Sequence, residues 1–213
     1  RGKGFQGNAL YFKDSRNPSE GFKPLIKDVG EFTYSIIDNF GDKFLVYTNK
    51  GARNYKLVLI DAANPDESNW KTFIDEKEQP IQNVSTAGGK VFISYLKDVT
   101  TRTYVYDESG KFEHEVKFPA LGTAGGFGGW RDDKFIFYTF NSFTYPPTIY
   151  KYEIATAKTT VFRQPEIAAF NPNDYETHQV FYPSKDGTKI PMFIVHKKGL
   201  KLNSKNPTIL YAY

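Results

Sequence analysis

Runs of Phe, Tyr, Val, Ile and Thr alternate with turns rich in Gly, Asn and Asp from residue 9 to residue 163. That alternation predicts a succession of short β-strands. Three stretches share one layout. Each opens with a turn that ends in Lys: Gly41-Asp42-Lys43, Gly88-Gly89-Lys90 and Asp132-Asp133-Lys134. An aromatic or β-branched strand follows each turn, over 44–48, 91–95 and 135–139. A second strand closes on an acid, over 56–61, 103–107 and 149–153, and a third lies over 71–74, 113–118 and 159–163. A less regular strand precedes each turn, over 32–38, 82–86 and 124–130.

The layout therefore predicts units of four strands with a period of about 46 residues, the spacing of β-propeller blades. A small twisted sheet cannot cover both of its own faces, so successive sheets stack radially around a channel. Residues 9–14 and 22–27 fit the last two strands of an earlier unit, which brings the total to about three and a half blades. The blades that would complete the ring are expected upstream of Arg1. A small β-sandwich is the rival reading, but it does not account for the matched sequence of turn, strand and acid.

The repeat ends after Arg163. Gln164-Pro165-Glu166 and Asn171-Pro172-Asn173-Asp174 read as linker and turn. Two alternating strands follow, about 176–182 and 189–196, joined at Asp186-Gly187, a dipeptide suited to tight hairpins. A polar loop over 197–205 then leads through Pro207 into an apolar stretch, Ile209-Leu210-Tyr211-Ala212-Tyr213, that reads as a buried strand. A buried strand at a terminus is unusual, so the chain is expected to be one piece of a longer polypeptide.

The segment FYPSKDGTKIPMFIVHKKGLKL, followed by NPTILYAY, resembles the opening of the catalytic domain of the prolyl oligopeptidase family of serine peptidases. WKTFIDEKEQPIQNVSTAGGKVFISYLKDVTTRTYVYD and FYTFNSFTYPPTIYKYE resemble later propeller blades of the same family, so the resemblance spans nearly the whole chain. It implies a mostly β chain: three and a half blades of a seven-bladed β-propeller over 1–167, then the first strands of an α/β-hydrolase domain over 168–213. It also implies a serine endopeptidase that cleaves short peptides on the carboxyl side of proline, with the propeller gating access. The implied partners are proline-containing oligopeptides and the remaining parts of the same protein. Neither nucleic acid nor a membrane is implied, and the complete protein would be a monomer without cofactor or metal. Tyr211-Ala212-Tyr213 falls on the start of the family's Tyr-Gly-Tyr-Gly-Gly-Phe, with Ala212 in the place of its first glycine. The second tyrosine of that motif donates its hydroxyl to the oxyanion, which assigns this role to Tyr213.

Composition and motifs narrow the chemistry further. The 213 residues contain no Cys, which excludes disulfides, thiolate metal sites and a cysteine nucleophile. No Gly-x-Ser-x-Gly occurs, so the serine of a catalytic triad is expected outside this chain. Net charge is +4, with acids and bases interleaved, and this describes a solvated basic surface better than a nucleic-acid face. No apolar run approaches the ~18 residues needed to span a membrane. The compartment stays open between cytoplasm and bacterial periplasm.

His114 is expected on the surface, His178 at an interface and His196 in solvent, none with a partner spaced for metal binding. Gly122 to Gly129 lacks the Lys-Ser/Thr and the helix that a phosphate loop needs, and is expected to crowd an inner strand. Phe140 to Pro147 is a long aromatic connection that either borders a cavity or packs as a loop. A non-enzymatic propeller that binds proteins is the alternative function, and it leaves residues 175–213 without a purpose.

Overall fold

A computed structural model of the chain describes residues 7–212. The first elements are the paired strands β1 (Leu10–Phe12) and β2 (Lys23–Ile26). Three four-stranded sheets follow. One contains β3 (Tyr34–Phe40), β4 (Lys43–Thr48), β5 (Lys56–Asp61) and β6 (Lys71–Ile74). The next contains β7 (Ile81–Ala87), β8 (Lys90–Lys97), β9 (Thr100–Asp107) and β10 (Phe112–Glu115). The third contains β11 (Thr123–Gly125), β12 (Phe135–Asn141), β13 (Thr148–Glu153) and β14 (Lys158–Arg163). Every sheet is an antiparallel meander with its strands in chain order, the construction of a propeller blade. The repeat, the Lys turns and the acid-ended strands are therefore features of the fold, and the sandwich reading fails.

The sheets are held together by side chains that alternate between two interfaces. On β4, Leu45 points into a cluster shared with Val91, Ile93 and Tyr95 of β8. Its neighbour Val46 points the other way, into a cluster with Leu25 of β2. On β8, Phe92 turns away from Val91 and Ile93 to pack with Ile136, Tyr138 and Phe140 of β12. Strands covered on both faces must be apolar at consecutive positions, as parallel-sheet strands are, and β8 is buried from Val91 to Tyr95 without a break. β12 is apolar in the same way but is covered on one face only. Ile136, Tyr138 and Phe140 are buried, whereas Phe135 and Phe137 are exposed beside Phe162 of β14.

Two expectations need correction. The strand expected over 124–130 stops at Gly125. Gly126 then takes φ +98, and the chain leaves its own sheet to bond with the neighbouring one. Gly129 N–H donates to the Thr86 carbonyl, and the Trp130 carbonyl accepts from Gly88 N–H. The strand expected at the end is absent: 207–212 carries no strand, and Ile209 is 94% exposed. A strand is defined by its ladder, and no described strand pairs with this segment.

Gly88 shows how tightly the sheets approach. It sits in the β7–β8 turn at φ +56, and a Cβ there would lie 2.4 Å from Ile154 Cδ1 and 2.5 Å from the Asp133 carbonyl oxygen. Gly41, in the equivalent β3–β4 turn, has φ +63 and open space around it. Gly88→Ala is therefore expected to destabilise by more than ~2 kcal/mol, through left-handed strain plus a clash with fixed backbone. Gly41→Ala carries the strain alone, about 1 kcal/mol. Urea unfolding of the two variants measures the difference.

Burial between sheets also protects tyrosine hydroxyls. Loss of solvent pushes Tyr47 and Tyr152 up to about 12, with the Tyr55 hydroxyl and the Glu113 charge adding respectively to each. An unfolded chain ionises tyrosine near pH ~10, so ionisation favours unfolding. The stabilisation is complete below that pH and is lost as pH rises through about 12. The urea midpoint is expected to fall across this window, and the fall should be shallower in a Tyr47→Phe/Tyr152→Phe variant.

Candidate functional site

β15 (Tyr175–Pro183) and β16 (Lys189–Lys197) form a separate two-stranded hairpin after the last blade. Its turn is closed by Ser184 N–H donating to the Thr188 carbonyl at 2.8 Å and by Gly187 N–H donating to the Ser184 carbonyl at 2.9 Å. Gly187 takes φ +83 there. The Thr188 N–H bonds the Asp186 carboxylate and, with the Ser184 and Thr188 side chains, holds it below the usual carboxylate range. The Asp-Gly turn expected from the sequence is thus the element that sets the register of the hairpin.

Among the described residues, a side-chain hydrogen bond and a ring contact join the hairpin to the blades. The Gln179 side-chain amide donates to the carbonyl of Asp98, in the β8–β9 turn. The Phe193 ring lies 5.3 Å from Phe143, in the β12–β13 connection. The long aromatic connection therefore packs on the hairpin through Phe143. Gln179 and Phe193 are direct cross-strand partners, so one face of the hairpin looks toward the blades.

The opposite face brings together three residues that the sequence reading kept apart. Glu176 is the register partner of His196, and His178 lies two residues further along the same face. His178 Nε2 is 3.3 Å from Glu176 Oε2, and His196 Nδ1 is 3.4 Å from Glu176 Oε1. The two imidazoles stack at 5.4 Å with an interplanar angle of 25°. His196 is not solvated as expected: its side chain is 11% exposed, against 54% for His178. The missed signal was the symmetry of the hairpin, since residues equidistant from Asp186 face each other.

His114 is also corrected. It is half-buried rather than on the surface, and its Nε2 hydrogen-bonds with the Tyr152 hydroxyl of the next sheet. The rings stack at 6.3 Å, which makes His114 a tie between blades. The glycine cluster forms no phosphate loop, because no helix follows β11. After it comes Arg131, whose guanidinium binds Glu108 at 2.7 Å and the Asn39 carbonyl at 2.7 Å. One side chain thereby links three successive sheets, a role that sequence spacing does not reveal.

A cleft beside β9 and β10, lined by Arg102, Glu115, Lys117 and Gly122, encloses about 70 Å³. That volume suits water rather than a peptide. Among the described residues no serine hydroxyl hydrogen-bonds to an imidazole. Tyr213 lies outside the described residues.

Residues 2–165 match the family model of the prolyl oligopeptidase N-terminal β-propeller domain. The chain is 44% identical over 207 residues to a prolyl endopeptidase of Elizabethkingia miricola, covering 97% of this chain and 29% of that protein. It is 42% identical over 207 residues to the prolyl endopeptidase of Elizabethkingia meningoseptica, with the same coverage of each. Among solved structures, one of two prolyl endopeptidases analysed for inter-domain dynamics in catalysis and specificity superposes with a TM-score of 0.79 and 37% identity, covering 93% of this chain and 29% of the other. Prolyl oligopeptidase B from Galerina marginata superposes with a TM-score of 0.77 and 28% identity, covering 85% and 26%. The chain thus spans about 29% of the length of the curated relatives it matches best among these.

Proposed function

The chain belongs to the prolyl oligopeptidase family, and from that premise we propose that it is part of a serine endopeptidase cleaving short peptides on the carboxyl side of proline. The observation that carries this reading is the 44% identity extending over 97% of the chain, hairpin included, to a prolyl endopeptidase. In the whole protein, residues 1–167 would belong to the propeller that gates entry, and residues 168–213 to the first strands of an α/β-hydrolase catalytic domain. The blade meander ends at Arg163, and the hairpin that follows is a sheet of its own, which supports a division near residue 168.

Catalysis in this reading follows serine-peptidase logic. A serine outside these 213 residues attacks the scissile carbonyl, a histidine takes its proton and passes it to the leaving amine, and an acid orients the histidine. The Tyr213 hydroxyl donates to the oxyanion that develops on the carbonyl oxygen. Such a donor helps because it is oriented before the charge appears. Steric exclusion by the ring of blades would admit oligopeptides and reject folded proteins. The uncovered face of β12 supports a larger ring, since Phe135, Phe137 and Phe162 are the residue types that bury between blades elsewhere in the chain. The relatives are peptidases, which weighs against a purely binding propeller.

The test uses the full-length protein and a fluorogenic peptide with a single internal proline. Cleavage after proline is expected, with Tyr213→Phe lowering kcat ~10²–10³-fold and leaving KM nearly unchanged. The 213-residue chain alone is expected to be inactive. Equal cleavage after alanine and proline would overturn the substrate reading, and full kcat in Tyr213→Phe would overturn the oxyanion role.

A further inference from the structure

We propose that Glu176, His178 and His196 form a binding site for a divalent transition-metal ion of the zinc class, on the hairpin face turned away from the blades. Each residue offers one ligand atom, and these atoms all lie within 4.8 Å of one another. The cluster is built by the register of the sheet, because Glu176 faces His196 directly and His178 is their diagonal neighbour. Diagonal neighbours on one face come within reach when their side chains are long or aromatic.

The ligand set points to the metal. Two imidazole nitrogens and one carboxylate oxygen suit zinc, copper and nickel, whereas magnesium and calcium prefer oxygen alone. Metal–ligand bonds of about 2.0–2.2 Å require the three atoms to draw together by roughly 1 Å. His178 can supply that movement, since its side chain is 54% exposed. His196 Nδ1 already lies 3.4 Å from Glu176 Oε1, roughly the separation of two ligand atoms on one tetrahedral zinc. The Glu176 carboxylate supplies a compensating charge, and three protein ligands leave a fourth position for water. Ion pairing among the three groups does not need this metal geometry, so the experiment must separate the two.

Calorimetric titration of the full-length protein with zinc chloride is expected to show a component of one Zn²⁺ per chain that is lost in a His178→Ala/His196→Ala variant. His178→Ala is expected to weaken binding at least ~10-fold, as should His196→Ala, with Glu176→Gln weakening it less. His178 is the exposed member, and circular dichroism checks that His178→Ala keeps the fold. Cobalt(II) absorption of a four-coordinate site, lost in the same variants, provides a second readout. The proposal is overturned by no stoichiometric binding at millimolar zinc, or by unchanged affinity in a His178→Ala/His196→Ala variant. Peptidase activity enters neither readout, so the result is independent of the function proposed above.

Discussion

The structure depends on one constraint: the middle strands of each sheet carry apolar side chains on both faces, and both faces must be covered. A lone four-stranded sheet with Val91 to Tyr95 at its centre would expose half of them. Burying one such side chain is worth about 1.5–3 kcal/mol, so a stack of sheets gains at every interface. The interface between the last two sheets is rich in aromatic rings. Phe92 meets Tyr152 edge-on at 5.8 Å, and Phe118 stacks on Phe140 at 5.6 Å. Rings fill the wedge between twisted sheets with large, stiff area, which aliphatic side chains would do with more rotamer entropy to lose.

Polar ties sit around these cores and fix the angle at which sheets meet. His114 reaches Tyr152 across one interface, and Arg131 spans two. Arg131 is half exposed, so its ion pairs add little stability in water. Its planar donors do more for geometry, since they satisfy a carboxylate and a backbone carbonyl from different sheets together. The hairpin is attached more lightly, through Gln179 and Phe193. Among the described residues these are its side-chain hydrogen bond and its ring contact to the blades, against the continuous core between blades.

Much of this was legible in the sequence because its cause is local. A turn of Gly88-Gly89 followed by Val91-Phe92-Ile93 specifies a tight turn and a strand apolar on both faces without help from elsewhere. The Asp186-Gly187 turn was legible for the same reason. The early end of β11 was not, because bonds from Gly129 and Trp130 to the neighbouring sheet draw the chain away, and those partners lie some 40 residues upstream. The Glu176–His196 pair fell between the two cases. Local spacing showed no ligand pattern, yet a turn centred on Asp186 determines which residues meet. Counting outward from the turn would have found it.

The same residue types end in opposite environments, which limits what periodicity alone can say. Phe92 on β8 and Phe137 on β12 both lie on the second face of a middle strand, but Phe92 is buried and Phe137 is exposed. Ile93 and Ile209 differ in the same way, one at the centre of a sheet and the other 94% exposed. Sequence pattern specifies the capacity of a segment to be buried, and a neighbouring sheet decides whether that capacity is used. Where a neighbour covers both faces, as at Val91, Phe92 and Ile93, consecutive apolar positions are buried. Phe135, Phe137 and Phe162 therefore mark an apolar surface with the chemistry of a blade interface, and its natural complement is another sheet of the same construction.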